Sequence, residues 1–422
     1  MKKEKTGKKG EGTGLKKRVF FGKWVVRAVS VLLVSAMLLL QVSATETAEV
    51  YPYDYAFEEF WYEDAGEAAT FTKSIGCKGC LLMEASTGKV LFAENENAAL
   101  PIASVTKVMA TLLIMEAIDG GRISLSDTVT VSERAASMGG SQVFLEPGEQ
   151  MTVDDLLKSL IVVSANDATV ALAEAVYGSE EAFIAEMNAK AEALGLENTH
   201  FVNTNGLPAE GHHSSALDVA LTTRELLKHE TVLNYTNIWM DTIRGGAFGL
   251  ANTNKLIRFY QGANGMKTGF TSEAGYCLSG TAKRDGMQLI AVVLGAETSA
   301  DRFALAKQML DFGFANYTLG KPVPELPESV QVEGGEKDYV NLECDPPSLL
   351  LGKGAKAKLT QELSIPEKIE APVQKGAVIG TLTFLSDGVP IASVDVRTGE
   401  NVKKIGFSFM LHKILTLLFG IF

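Results

Sequence analysis

Two serine–lysine pairs at three-residue spacing stand out in the chain: Ser104 with Lys107 inside PIASVTKVMATLLIMEAI, and Ser86 with Lys89 inside Ser86-Thr87-Gly88-Lys89. Residues three apart share one face of a helix, so a Lys107 amine can reach a Ser104 hydroxyl. From Val108 to Ile118 only Thr111 and Glu116 are polar, which predicts a helix buried on nearly all sides. A lysine held in such surroundings has its pKa lowered toward neutrality, and a neutral amine beside a serine is a general base for a nucleophile. The Ser86 pair lies between two short apolar runs, 80–83 and 90–93, with Gly88 between them. That pattern predicts a hairpin turn with a solvated lysine.

The elements around Ser104 follow from periodicity and punctuation. Gly120-Gly121 ends its helix. Thr152-x-x-Asp155 reads as a capping box opening a helix through about residue 163. A polar kink, Ser164-Ala165-Asn166, interrupts the pattern before a new helix starts at Asp167, an unusual arrangement for packing alone. Further helices are expected near 180–194 and 215–229. After Asn264-Gly265 the pattern turns to strands at 266–270, 276–282 and 288–294, with Lys283-Arg284-Asp285-Gly286 as a turn and a helix at 299–314. Lys267-Thr268-Gly269 falls on the first of these strands. Strands at both ends of the unit with helices between predict an α+β domain, an antiparallel sheet covered by helices, over residues 75–320.

Pro322, Pro324 and Pro327 mark a change of composition. Beyond them, apolar runs at 377–384 and 391–396 between Gly and Asp turns predict a small β-rich domain, 321–400, holding no cluster of catalytic residue types. The tail, 401–422, has Lys404, Ser408, His412 and Thr416 recurring every fourth residue, with Lys413 beside them, on an otherwise apolar helix with no acid after Glu400. It is expected to lie in the interface of an anionic membrane, with a spanning or a purely structural helix as alternatives. At the other end, residues 1–27 carry ten Lys or Arg against Glu4 and Glu11, and the uncharged run 28–40 and Val42-Ser43-Ala44 follow. Residues 1–44 therefore read as a secretory signal peptide, an uncleaved signal anchor being the alternative. Removing that net +8 takes the chain from −12 to −20, and so acidic a body does not suit nucleic acid. Residues 45–74 form an acidic, aromatic leader expected to be poorly ordered.

The four cysteines are Cys77, Cys80, Cys277 and Cys344. Cys77-x-x-Cys80 lacks a second ligand pair at metal spacing and runs into a strand-like segment, so these cysteines read as structural, with their pairing open. No His-Glu-x-x-His or Gly-x-Ser-x-Gly occurs. His200, His212, His213 and His229 read as surface or packing residues, and neither a metal nor a cofactor is expected.

The ordered trio of Ser-x-x-Lys heading a buried helix, Ser-x-Asn at a helix junction and Lys-Thr-Gly on a strand resembles the D-alanyl-D-alanine carboxypeptidases, the low-molecular-mass penicillin-binding proteins of serine peptidase type. The resemblance extends through LMEASTGKVLFAENEN, VVSANDA, HFVNTNGLPAEGHHSSALDVA, MKTGFTSEAGYCLSGTAKRDG, the small β domain and the amphipathic tail. It implies a β-lactamase-like transpeptidase fold followed by a β-sandwich. By position it implies Ser104 as acylated nucleophile, Lys107 as its proton acceptor, Ser164 as a relay to the leaving D-alanine and Asn166 as orienter of Lys107 and the substrate amide. Lys267 and Thr268 would hold the terminal carboxylate, Gly269 would admit the substrate backbone, and the amides of Ser104 and Phe270 would form the oxyanion hole. The implied partners are peptidoglycan stem peptides ending in D-Ala-D-Ala, β-lactams as covalent inhibitors, and a membrane surface. A class A β-lactamase shares the trio, but the extra domain and the apolar tail favour the peptidase. A non-catalytic cell-wall binder is the reading from a different class.

Overall fold

The computed structural model describes residues 70–345, 348–353, 359–386 and 388–419. The expected signal peptide and all but the last residues of the expected leader lie outside them. The chain opens with a hairpin of β1 (Gly79–Glu84) and β2 (Val90–Glu94). The turn between them is closed by Glu84, whose carboxylate accepts from the Ser86 hydroxyl at 2.8 Å and the Thr87 amide at 2.8 Å. Ser86 is thus a turn residue.

Ser104 lies in a 3₁₀ turn, Ala103–Thr106, that runs directly into α1 (Lys107–Asp119). Ten residues of α1 are buried, as its unbroken apolar run requires. Two short strands, β3 (Thr128–Thr130) and β4 (Gln150–Thr152), pair before α2 (Val153–Val162). The Thr152 hydroxyl caps α2 by accepting from the Asp155 amide at 3.1 Å, as the capping-box spacing predicts. The helices α3 (Asn166–Tyr177), α4 (Glu180–Ala193) and α5 (Ala216–Leu226) follow, then a hairpin of β5 (Met240–Ile243) and β6 (Phe248–Ala251). The last part supplies β7 (Ala263–Thr271), β8 (Gly275–Arg284), β9 (Met287–Ala296) and α6 (Ser299–Asn316).

The main sheet is antiparallel in the order β2-β1-β9-β8-β7, so β7, which carries Lys267-Thr268-Gly269, is an edge strand. Alternation along β1 and β9 divides the core. Leu81, Met83, Ile290 and Val292 face the α1–α5 side, while Cys80, Leu82, Leu289 and Val293 face α6 through Leu305, Met309 and Leu310. Both faces of the sheet are therefore covered, and its edges are β2 and β7, of which β7 lies beside the Ser104 turn.

The leader boundary expected at Ser74 moves toward the N-terminus. Phe71 packs edge-on against Phe92 at 4.7 Å and also meets Phe312 at 5.2 Å, so residues 70–74 belong to the α+β unit because an aromatic side chain ties them there. At the other end β10 (Tyr317–Gly320) pairs with β13 (Leu349–Gly352), a strand contributed by the β-rich part. That part adds β11 (Ser329–Glu333), β12 (Tyr339–Glu343), β14 (Leu359–Ser364), β15 (Lys368–Glu370), β16 (Val378–Ser386) and β17 (Val389–Thr398) in the order β14-β16-β17-β12-β11-β15. It encloses two apolar clusters, one around Val330, Val340, Val373 and Val402, the other around Leu382, Phe384 and Val396. Val402 is buried and exchanges backbone hydrogen bonds with Val373. The β-rich packing thus runs past residue 400, and only then does α7 (Phe407–Phe419) begin.

Candidate active site

The site is built where the Ser104 turn meets the β7 edge. Gly269 makes that meeting possible: a Cβ there would stand 2.8 Å from both the Ile102 carbonyl oxygen and the Ser104 nitrogen. The close approach expected of a substrate backbone is thus already used by the serine's own turn. Gly206 serves the opposite side of the same turn. At φ +82°, a Cβ on it would fall 1.8 Å from the Ala103 oxygen, so any larger residue there collides with backbone. Between the two glycines Ala103 is itself held at φ +48°, a conformation an L-residue adopts only under constraint.

Part of that constraint is a hydrogen-bonded chain. Val202 N–H donates to His212 Nδ1 at 3.0 Å, which leaves the ring proton on Nε2. His212 Nε2 lies 2.8 Å from Thr106 Oγ1, and Thr106 in turn donates to the Ala103 carbonyl at 2.8 Å. Burial, reinforced by His213 and His200, pushes the His212 pKa down to about 4. The ring therefore stays neutral and keeps the donor–acceptor order this chain needs.

Lys107 is fully buried at the first position of α1. Its Nζ lies 2.6 Å from Asn166 Oδ1, 3.2 Å from the Asn205 carbonyl oxygen, 3.1 Å from Ser104 Oγ and 3.4 Å from Ser164 Oγ. Burial holds its pKa well below the ordinary lysine value, the Lys267 charge acts in the same direction, and Asp167 opposes them. A neutral amine has two hydrogens and one lone pair. Asn166 Oδ1 and the Asn205 carbonyl can only accept, so they take both hydrogens and turn the lone pair toward the two serines. Asn166 presents its oxygen because its Nδ2 donates to the Gly139 carbonyl at 2.7 Å. Ser164 reaches the amine from a left-handed residue, φ +66°, at the junction of α2 and α3. The kink in the sequence pattern is this junction.

The loop over Asn166 is held by Asp167, whose carboxylate accepts from the amides of Val143 at 3.1 Å and Leu145 at 3.1 Å. Arg244 braces it from outside, donating to the Val143 carbonyl at 2.8 Å and pairing with Glu149 at 2.7 Å.

Lys267 is buried and bonds only locally, to the Thr268 carbonyl at 3.0 Å. Burial lowers its pKa to about 7, and the nearby Arg302 adds to this. Arg302, itself buried, donates to the carbonyls of Gly269 at 2.9 Å and Cys277 at 3.2 Å and so fixes the bend of β7 from behind. Thr268 donates to Thr253 at 2.7 Å. Phe270 is exposed and stacks on Tyr276 at 4.3 Å. The structure thus brings Ser104, Lys107, Ser164 and Asn166 within one hydrogen-bonded set, with Lys267 near enough to act on Lys107 and Gly269 packed against the Ser104 turn. Asn205, Asp167, His212 and Arg302 are the members that sequence reasoning missed. Asn205 acts through its backbone, which no side-chain pattern can announce. Arg302 is one of two cations on its helix and carries no motif of its own.

The Glu-x-x-x-Asn spacing that a class A β-lactamase would use occurs at Glu230 and Asn234. Glu230 is exposed and follows His229, which pairs with Asp119 at the far end of α1. Lys107 and Asp119 are the two ends of this helix, about 18 Å apart at 1.5 Å per residue. The spacing therefore has no access to the serine.

A helix-covered antiparallel sheet presenting a serine and a neutral lysine beside an edge-strand Lys-Thr-Gly defines a serine acyl-transfer enzyme of the penicillin-binding class. Residues 66–298 match the D-alanyl-D-alanine carboxypeptidase family, and residues 317–404 match the C-terminal domain of penicillin-binding protein 5. The chain belongs to the D-alanyl-D-alanine carboxypeptidase family. It is 46% identical to the D-alanyl-D-alanine carboxypeptidase DacF of Bacillus subtilis over 80% of this chain and 88% of that one. It is 36% identical to DacC of Escherichia coli over 81% and 88%. Penicillin-binding protein 5 of Haemophilus influenzae superposes with a TM-score of 0.72 at 31% identity, covering 80% of this chain and all of that one. The ampicillin-bound penicillin-binding protein D2 of Listeria monocytogenes superposes with a TM-score of 0.53 at 32% identity over 58% of this chain and 99% of that one.

The His212 pKa of about 4 makes a stability prediction. Below its unfolded value of about 6.5 the unfolded chain binds the proton that the folded ring refuses, so stability falls as pH drops from 6.5 toward 4, by about 3 kcal/mol in all. Urea midpoints at pH 7 and pH 4.5 should show that loss in the wild type and a smaller loss in His212→Gln. Equal losses would remove His212 as the cause.

Proposed function

We propose that this D-alanyl-D-alanine carboxypeptidase removes the terminal D-alanine of peptidoglycan stem peptides through an acyl-enzyme on Ser104. The observation that carries this reading is the buried Lys107 amine, set 2.6 Å and 3.2 Å from two oxygens that can only accept and 3.1 Å from the Ser104 hydroxyl. The substrate adds along the free edge of β7, its terminal carboxylate at Lys267 and Thr268. Lys107 takes the Ser104 proton as the oxygen attacks the penultimate carbonyl. The amides of Ser104 and Phe270 receive the developing oxyanion, a contribution of roughly 3 kcal/mol per donor. Ser164, 3.4 Å from the same amine, passes the proton to the leaving D-alanine nitrogen. Water then repeats the cycle on the ester with Lys107 again as base. Penicillins, whose carboxylate and strained amide imitate the same peptide end, acylate Ser104.

The enzyme is an envelope protein, and its finer placement follows from charge and exposure. A basic, apolar N-terminal segment, residues 1–44, acts as signal peptide. At the other end α7 exposes Phe407, Met410, Leu411, Ile414, Leu415, Leu417 and Leu418, carries no acidic residue and follows Lys403 and Lys404. Among the described residues no helix is long and apolar enough to cross a membrane. These features support a helix lying flat on the outer face of the cytoplasmic membrane, with residues 321–405 as the spacer beneath the catalytic unit.

Incubation with a peptide ending in D-Ala-D-Ala should release D-alanine. Ser104→Ala should abolish both that release and the covalent penicillin label, and retention of either would reject the acyl-enzyme on Ser104. A second outcome concerns pH. The carboxylate needs Lys267 protonated, so kcat/KM should fall as pH rises through about 7, while the limb in kcat lies higher because bound carboxylate stabilises the ammonium. In Lys267→Arg the alkaline limb should vanish from kcat/KM even where the rate is reduced; an unchanged limb would assign it elsewhere. Third, deletion from Gly406 onward, which spares the buried Val402, should release the enzyme from vesicles containing anionic lipid with D-alanine release intact. A truncated form that still sediments with those vesicles would contradict the anchor.

A further inference from the structure

The motif that the carboxypeptidase reaction leaves unused is Cys77-x-x-Cys80. Cys77 lies in the extended segment before β1 and is partly exposed, while Cys80 is the second residue of β1 and is wholly buried. Both side chains pack into the apolar cluster on the α6 side of the sheet. Lys73 Nζ stands 3.9 Å from Cys77 Sγ and is ion-paired with Glu94. Glu94 is in turn the residue opposite Cys80 across the β1–β2 hairpin. One face of the hairpin thus gathers two sulfurs, an ammonium and a carboxylate at the point where the chain enters the domain.

We propose that Cys77 and Cys80 form a redox-active dithiol that exchanges with external disulfides, Cys77 as the attacking sulfur, Cys80 as the resolving one and Lys73 as the cation that holds the attacking thiolate. In the first step the Cys77 thiolate attacks one sulfur of an external disulfide. A Cys77 mixed disulfide forms, the external S–S bond breaks, and the expelled thiolate takes a proton from water. In the second step Cys80 gives up its proton and attacks the Cys77 sulfur, expelling the second external thiolate. Two protein thiols are oxidised to one disulfide while one external disulfide is reduced to two thiols, so electrons balance without any other oxidant.

The division of labour follows from surroundings. Cys77 is drawn below the ordinary thiol pKa by the neighbouring Cys80 thiol, with burial opposing and Lys73 assisting, while the Cys77 neighbour and burial drive Cys80 upward. An accessible, stabilised thiolate beside a buried protonated thiol is the arrangement that exchange requires. The other two cysteines lack it. Burial raises Cys277 to about 11, and burial together with Asp345 raises Cys344. Once formed, the disulfide joins the segment carrying Phe71 to β1, adding a covalent tie to the aromatic packing of Phe71 and the Lys73–Glu94 ion pair that hold the chain there.

Oxidised glutathione is the probe. The reduced full chain, freed of reductant, should lose two hydrogens on treatment, with a peptide map joining Cys77 to Cys80. Cys80→Ser, and Cys80→Ala as a second variant in case the first fails to unfold cooperatively, should instead accumulate one glutathione on Cys77. Cys77→Ser should give neither product. Lys73→Met should slow the first step roughly tenfold as the thiolate fraction falls. A wild type that loses no hydrogens, or a folded Cys80 variant that takes glutathione first at Cys344, would overturn the dithiol. An unchanged rate in Lys73→Met would overturn the part assigned to Lys73.

Discussion

The whole catalytic unit depends on keeping one lysine amine dry. Lys107 has no exposed surface, and a group whose charged form is penalised by burial remains neutral at the cost of stability at every pH below its unfolded value. The fold offsets that cost with α1, whose apolar length is driven into the core on all sides. Hydrophobic burial along the rest of the helix keeps its first residue out of water. The sequence feature that looked anomalous, a lysine heading the most apolar stretch of the domain, is the same fact seen without coordinates.

Neutrality alone would leave the amine free to turn. Direction comes from two oxygens that cannot donate, Asn166 Oδ1 and the Asn205 carbonyl, and each is fixed by a different loop. The Asn166 side is held through Gly139, Ser141 and Asp167 to the 138–145 segment. The Asn205 side is held through Gly206 to the Ala103 backbone. Left-handed residues at Ala103 and Ser164 mark where the chain is held away from its relaxed path so that both serines converge on Nζ. A second cation, Lys267, stands close enough to disfavour protonation of the first, and Arg302 does the same to Lys267. The three basic groups are graded: Arg302 is bonded to backbone carbonyls, Lys267 is brought down to about 7, and Lys107 is held well below the ordinary lysine value.

Much of this was legible. The period of 101–118, the capping box at Thr152 and the interruption at 164–166 placed the two serines, Lys107 and Asn166 on the elements that bring them together. The Lys-Thr-Gly strand was found because apolar runs with a turn between them mark a hairpin. What escaped has a common physical character. The Asn205 carbonyl, the amides that grip Asp167 and the contact over Gly206 belong to backbone brought close by tertiary folding, and side-chain identity says nothing about it. His212 read as packing, which is true of its burial, yet its value lies in a tautomer set by the Val202 amide. The packing of Phe71 on Phe92 and Phe312, and the pairing of Val402 with Val373, are likewise tertiary contacts that the acidic leader and the apolar tail give no local sign of.

The same geometry explains why the trio serves a peptidase and not a β-lactamase. Rapid hydrolysis of a penicillin ester needs a carboxylate free to activate water at the acylated serine. The carboxylate that acts on Lys107 here is Asp167, and its oxygens are occupied by the amides of Val143, Leu145 and Ala168. It is buried, and those amides tie both of its oxygens to the 143–145 loop and to the start of α3. Glu230 lies beyond the opposite end of α1. In the mechanism proposed above, deacylation reuses the amine that served acylation, with Ser164 beside it. One base, Lys107, is thus shared by both half-reactions of the proposed mechanism, while the nearby acid, Asp167, is committed to holding the loop.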